Sequence, residues 1–219
     1  RASGYLYDRE PMNVVVIVTV AHHASDGELA LTPVHGEPLL THTVRGLLAV
    51  PEIDLVLVAA PQRCAQAYSR VLEDLSCRVV PGSLRQAFAA VEPELPRGSV
   101  VLLHDALRAF IPAQTVRDVI DAVGDASPIV VPVLPMADTV KVTDAAELIV
   151  GTEDRTRLRT AQTPIGFTLE AFRAADLSAP VHAGAATVPG HPDAMRVTTG
   201  FELSLAEAIA AAPSTEETL

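Results

Sequence analysis

The chain has little cysteine, little aromatic content, no long apolar run and a deficit of positive charge. Its 219 residues include only two cysteines, Cys64 and Cys77. Two thiols without paired ligand spacing make neither a disulfide framework nor a zinc site. They are expected to be buried free thiols in a reducing compartment, the cytoplasm. Aromatic residues make up 4% of the chain, so its apolar content is mostly alanine and aliphatic residues. The longest apolar run near the start, residues 14–21, is too short to span a bilayer and lacks the basic flank of a secretion signal, so no membrane partner is expected. Sixteen Lys and Arg face 27 Asp and Glu, a formal net charge of −11. That balance repels a phosphate backbone and argues against nucleic acid as a partner. Small anionic substrates stay open if cations are gathered locally.

What is present is a folding sequence. A 49% hydrophobic fraction with 20% charged residues suits one domain with a full core, expected over residues 12–219. Residues 1–11 show no period and are expected to be a disordered start or a leftover of expression. Strand-like runs at 14–20, 54–60, 77–80, 100–103 and 128–133 alternate with helical patterns at 38–50, 62–75, 85–91 and 113–123. This alternation predicts an α/β domain, a doubly wound and mostly parallel sheet covered on both faces. The strand at 128–133 is expected to end at Pro132 and Pro135. From Asp138 to Thr143 the pattern changes to period two, and residues 148–151 can return beside it after a turn at Asp144, Ala145 and Ala146. The result is a projecting β-hairpin. Because a hairpin is marginal alone, the arm at 136–160 is expected to pack on a second copy and make a homodimer. A helix at 169–175, a loose loop over 178–192, a short strand at 195–198 and a helix at 201–212 complete the reading.

The chain is organised around the apolar strand that ends in His104, Asp105 and Arg108. In open α/β sheets, ligands bind outside the carboxyl ends of the strands, which is where this triplet falls. Asp105 could hold a divalent metal, and Arg108 could pair with a carboxylate or phosphate. Equally, Asp105 could cap the next turn and Arg108 could be a surface ion pair.

Four blocks carry a resemblance. His104, Asp105, Ala106, Leu107 and Arg108 are similar to a His-Asp-Ala-Ala-Arg motif. Val131, Pro132, Val133, Leu134 and Pro135, followed by Asp138, Thr139, Val140 and Lys141, look like Pro-Val-x-Asp-Thr-x-Lys. Asp154, Arg155, Leu158, Gln162, Thr163, Pro164, Gly166 and Phe167 match an Asp-Arg, Gln-Thr-Pro, Gly-Phe block. Arg196, Val197, Thr198, Leu203, Ala206 and Glu207 match its closing motif. In this order they resemble the 2-C-methyl-D-erythritol 4-phosphate cytidylyltransferase family of isoprenoid biosynthesis. The resemblance implies a Rossmann-like nucleotidyltransferase fold, CTP and a sugar-alcohol phosphate as partners, and Mg²⁺ as cofactor. It places Asp105, Arg108 and Arg196 in the catalytic set, and Ala21, Gly82, Arg85 and Asp105 around the nucleotide. Arg108, Thr139, Arg155 and Arg196 would meet the sugar phosphate, Arg155 from the arm of a second copy, and Asp105 and Asp193 would hold the metal.

The first half departs from the family pattern. Where the family carries a glycine-rich loop with an Arg and a Lys, this chain reads Ala21, His22, His23, Ala24, Ser25, Asp26, Gly27, Glu28 and Leu29. No Arg or Lys occurs between Arg9 and Arg45. Phosphoryl-type transfer relies on positioning and charge stabilisation, so this implies a degraded triphosphate site. Further on, Pro81 replaces a glycine and Phe88 stands at a hydroxyl position. His22 and His23 could supply cations at low pH or ligate a metal, or be plain loop residues. Three functions follow: a cytidylyltransferase, a catalytically inactive relative that binds a phosphorylated ligand or a protein partner, and a metal-dependent phosphohydrolase using Asp105 and Asp193.

Overall fold

Valine and leucine runs such as Val14 to Ile17 have apolar side chains on both strand faces, so they are stable only inside a sheet covered twice. The computed structural model describes residues 13–20, 26–176 and 184–212. Ala21, His22 and His23, residues 1–11 and part of the loop expected at 178–192 lie outside these. In chain order the elements are β1 (Val14–Thr19), α1 (Asp26–Leu29), β2 (Pro33–Val34), β3 (Glu37–Pro38), α2 (Leu39–Leu48), β4 (Leu55–Ala60), α3 (Ala65–Val71), β5 (Arg78–Pro81) and α4 (Leu84–Ala89). They continue with β6 (Val100–Asp105), α5 (Ala113–Ala122), β7 (Ile129–Pro135), β8 (Lys141–Thr143), β9 (Ile149–Thr152), β10 (Arg159–Ala161), β11 (Ile165–Thr168), α6 (Leu169–Ala174), β12 (Ala186–Pro189) and α7 (Gly200–Ala211).

Eight of the strands form one sheet in the order β10-β7-β11-β6-β1-β4-β5, with β12 also paired to β7. β1 lies parallel between β4 and β6, with Val16 opposite Val56 on one side and Leu102 on the other. Its alternate residues serve two cores. Val14, Val16 and Val18 pack with Leu40, Val44 and Leu47 of α2 and Val116 and Val119 of α5. Val15 and Ile17 pack with Phe88 of α4, Phe167 of β11 and Phe172 of α6. The doubly wound expectation is met, with β11 running antiparallel between β6 and β7. A side chain at Gly166 would bring its Cβ to 2.6 Å from Val123 Cγ2 and 2.7 Å from Val119 Cγ1, so glycine is what lets β11 lie against α5.

Two expectations are corrected. β7 runs through Pro132 to Pro135, because the Pro132 carbonyl still accepts the Gln162 N–H at 2.8 Å and the strand has neighbours on both sides. The strand expected at 195–198 is not formed. Residues Pro192–Ala194 make a 3-10 turn, and the pairing goes to β12, whose residues Ala186 to Pro189 align with Val130 to Val133. The open edge of β7 recruits a strand from a segment whose composition reads as loop.

β8 and β9 form a separate two-stranded sheet. Asp144 Oδ1 closes its turn by accepting the N–H groups of Ala146 at 2.9 Å and Leu148 at 3.0 Å. Leu148, Ile149 and Val150 are 64%, 67% and 62% exposed, so the arm's apolar side chains are uncovered in the single chain. Among the described residues, no helix is long and apolar enough to cross a membrane.

Candidate active site at the carboxyl edge of the sheet

β1 and β6 end level with one another, Thr19 opposite Asp105, and β4 and β5 end at Ala60 and Pro81 beside them. Asp105 closes its strand and points both carboxylate oxygens at fixed donors. Oδ1 accepts the Leu107 N–H at 3.0 Å and Oδ2 accepts Arg196 Nε at 2.6 Å. It therefore caps the turn as one reading anticipated, and also makes an ion pair with a residue 91 positions away.

A buried polar relay stands behind Asp105. Its N–H donates to Thr163 Oγ1 at 3.1 Å, and the same oxygen lies 3.1 Å from His104 Nδ1. His104 Nε2 faces the Arg108 carbonyl at 3.2 Å. Burial pushes the His104 imidazole down to about 4, against the opposing pull of the Asp105 charge, so the ring is neutral near pH 7. A carbonyl only accepts, so Nε2 carries the hydrogen, and Nδ1 accepts from the Thr163 hydroxyl.

Arg196 and Arg108 sit beside Asp105. The Arg196 guanidinium lies between Asp105 and Asp26, with a terminal nitrogen 2.6 Å from Asp26 Oδ2. Burial alone would lower its pKa, but the two carboxylates outweigh that and raise it. Arg108 is not a surface ion pair. It donates to the carbonyls of Ala194 at 2.7 Å and Ala161 at 3.4 Å, and burial lowers its pKa. Arg108 thus ties the end of β10 to the turn that precedes Arg196.

The other singled-out residues occupy distinct places. Gly82 follows β5 with φ +129, a backbone conformation that glycine alone adopts easily, and donates its N–H to the Ala60 carbonyl at 2.8 Å. Ser83 and Gln86 then form a capping box that starts α4. Arg85 turns toward α6, donating to the Phe172 and Ala175 carbonyls above the Phe172 ring. Phe88 is core, 4.7 Å from Phe172 between ring centroids. Thr139 is exposed where the arm leaves the domain, and Arg155 donates to the Ala137 carbonyl at the same place. Asp193 stands beside His191, 3.7 Å from Nδ1, on the wall of a groove shared with His42 and Arg45.

Sequence reasoning singled out neither the partner role of Asp26 nor the clamp made by Gln162. The Gln162 side chain donates to the His191 carbonyl at 2.8 Å and accepts the His191 N–H at 2.9 Å, fixing the turn that precedes Arg196. The available signal was a polar Gln-Thr pair just before the apolar β11. Among the described residues, no three His, Cys, Asp or Glu side chains gather as metal ligands.

The family model described as IspD, 2-C-methyl-D-erythritol 4-phosphate cytidylyltransferase, matches residues 15–212. A protein of that name from Saccharopolyspora erythraea is 44% identical over 202 residues, covering 83% of this chain and 90% of its own. One from Streptomyces avermitilis is 38% identical over 209 residues, covering 83% and 84%. The crystal structure of 2-C-methyl-D-erythritol 4-phosphate cytidylyltransferase from Thermus thermophilus superposes with TM-score 0.72 at 27% identity, over 92% of this chain and all of that one. A 4-diphosphocytidyl-2C-methyl-D-erythritol synthase from Anaerococcus prevotii, 21% identical with TM-score 0.72 over 91% and 96% of the two chains, shares the fold.

Proposed function

The chain belongs to the 2-C-methyl-D-erythritol 4-phosphate cytidylyltransferase family, and on that premise we propose that it transfers a cytidylyl group from CTP to 2-C-methyl-D-erythritol 4-phosphate. A phosphate oxygen of the sugar phosphate attacks the α-phosphorus of CTP. The bond to the bridging oxygen breaks, and pyrophosphate leaves. The observation that carries this reading is the pairing of Arg196 with Asp105 at the carboxyl ends of β1 and β6, beside Arg108.

The chain's own groups supply charge and position. Arg196 presents a guanidinium fork to the phosphates, and Arg108, held by the Ala194 and Ala161 carbonyls, adds a second cation near the attacking group. By the family resemblance Ala21, Gly82 and Arg85 would meet the nucleotide, and Arg85 would have to give up its bonds to the Phe172 and Ala175 carbonyls to do so. Thr139 would meet the sugar phosphate, and Arg155 would reach that of a second copy through the arm, so the working unit is a homodimer of residues 12–219 with the arm at 136–160. Asp105 fits Mg²⁺, since each carboxylate oxygen keeps a lone pair beyond its hydrogen bond and Mg²⁺ is commonly held by one carboxylate plus substrate phosphates. When bound, the ion would withdraw charge from the leaving pyrophosphate. The free thiols Cys64 and Cys77 suit a cytoplasmic location.

Pyrophosphate release from CTP, 2-C-methyl-D-erythritol 4-phosphate and Mg²⁺ tests the reading. Removing one preorganised donor costs about 10² to 10³ in rate, so Arg196→Gln is expected to lose roughly that much. CTP binding without pyrophosphate release would instead identify a non-catalytic relative, the reading favoured by the absence of Arg and Lys between Arg9 and Arg45.

A further inference from the structure

Arg196 carries one positive charge and meets two carboxylates, Asp105 through Nε and Asp26 through a terminal nitrogen, both at 2.6 Å. Asp26 is 1% exposed and Asp105 4%. Arg108, beside Arg196, is committed to backbone carbonyls. Glu28 pairs outward with Arg63 at 4.0 Å, with both side chains exposed.

The backbone fixes Asp26 in this place. It opens α1, whose next residue, Gly27, has its carbonyl held by the buried Tyr68 hydroxyl at 2.9 Å. Burial pushes the Tyr68 phenol up, so it stays a donor. Gly27 also packs so closely on α3 that a Cβ there would lie 3.0 Å from Cys64 Sγ. An anion is therefore held against one terminal nitrogen of Arg196, part of the guanidinium fork that a phosphate oxygen uses.

We propose that Asp26 is an internal competitor for phosphate at Arg196, a specificity-determining residue that closes the guanidinium in an ion pair and must yield when nucleotide binds. The proposal rests on the reading of Arg196 as a phosphate-binding group. Replacing one anion by another gains little, so a single phosphate does not open the pair. A triphosphate accompanied by a divalent cation brings enough charge of both signs to do so, and Asp26 thereby biases the site toward nucleoside triphosphate over monophosphate.

The test is calorimetric titration of wild type, Asp26→Asn and Asp26→Ser with CTP and Mg²⁺, and separately with CMP. Asn keeps the size and an oxygen acceptor for Arg196 but removes the charge. Ser also removes the charge and remains a favourable residue at a helix start, which keeps a folded variant available. Both variants are expected to bind CTP about tenfold more tightly, about 1.4 kcal/mol, and to gain measurable CMP binding. CTP binding that is unchanged or weakened in folded variants would overturn the proposal and leave Asp26 as a clamp that orients Arg196. CTP binding by none of the three proteins would overturn the nucleotide reading itself, and this proposal with it.

Discussion

Among single residues, His104 shows most directly what burial does at this site. Its neutral ring links the Arg108 carbonyl to Thr163 and so to the Asp105 backbone. The folded value of about 4 lies below the ordinary 6.5, so as the pH falls the unfolded chain takes up a proton before the folded one does. The stability from this group is complete above about pH 6.5 and is lost toward pH 4. Urea titrations of metal-free protein between about pH 7 and pH 5 are expected to show a decline of roughly 2 kcal/mol from this group, absent in His104→Gln. Thr163→Val removes both an acceptor and a donor from the relay and is expected to cost about 1–3 kcal/mol, with Thr163→Ser close to wild type in the same titration. The His104, Asp105, Arg108 triplet was legible as a site because a buried strand delivers it to a sheet edge. The partners were not legible, since Asp26 and Arg196 lie 79 residues before and 91 residues after Asp105 and only chain folding joins them.

For the elements, period-two and helical patterns located β1, β4 to β9 and α2 to α7, because each is long enough to show its period. They missed the short α1, β2, β3, β10, β11 and β12, and they ended β7 too early. Periodicity sees one segment at a time, whereas strand formation in a short Ala, Thr, Val, Pro stretch depends on whether an open edge lies alongside. β11 poses the same dependence, since its Gly166 is a poor strand residue that the approach of α5 makes necessary. Gly166→Ala forces a methyl group into Val119 and Val123 and is expected to cost about 1–3 kcal/mol in thermal or urea unfolding. Gly124→Ala, with nothing within 4 Å of its added Cβ, serves as the comparison and should change stability little.

For the whole molecule, the arm is the part that a single chain leaves unfinished. Val142, Leu148, Ile149 and Val150 are exposed together on a two-stranded sheet and its turn, over which none of the described residues forms another layer. Such a surface is expected to be covered by a second copy. Replacing residues 141–152 with a short glycine linker should convert a dimer to a monomer by light scattering. It should weaken the sugar phosphate more than CTP in separate titrations, because Thr139 and Arg155 flank the replaced segment while Asp105 and Arg196 do not. Equal loss of both ligands would place the sugar-phosphate contacts within one chain.

The sequence by itself determined the α/β class, the order of the units, the arm, and the edge of the sheet where Asp105 stands. These are properties of local patterns, set by the burial each segment needs. Tertiary structure alone decided that β11 runs antiparallel beside β6, that β12 completes the edge of β7, and that Asp26 shares Arg196 with Asp105. Those outcomes depend on which distant surfaces meet, and an ion pair between residues 170 positions apart leaves no trace in the spacing of either one.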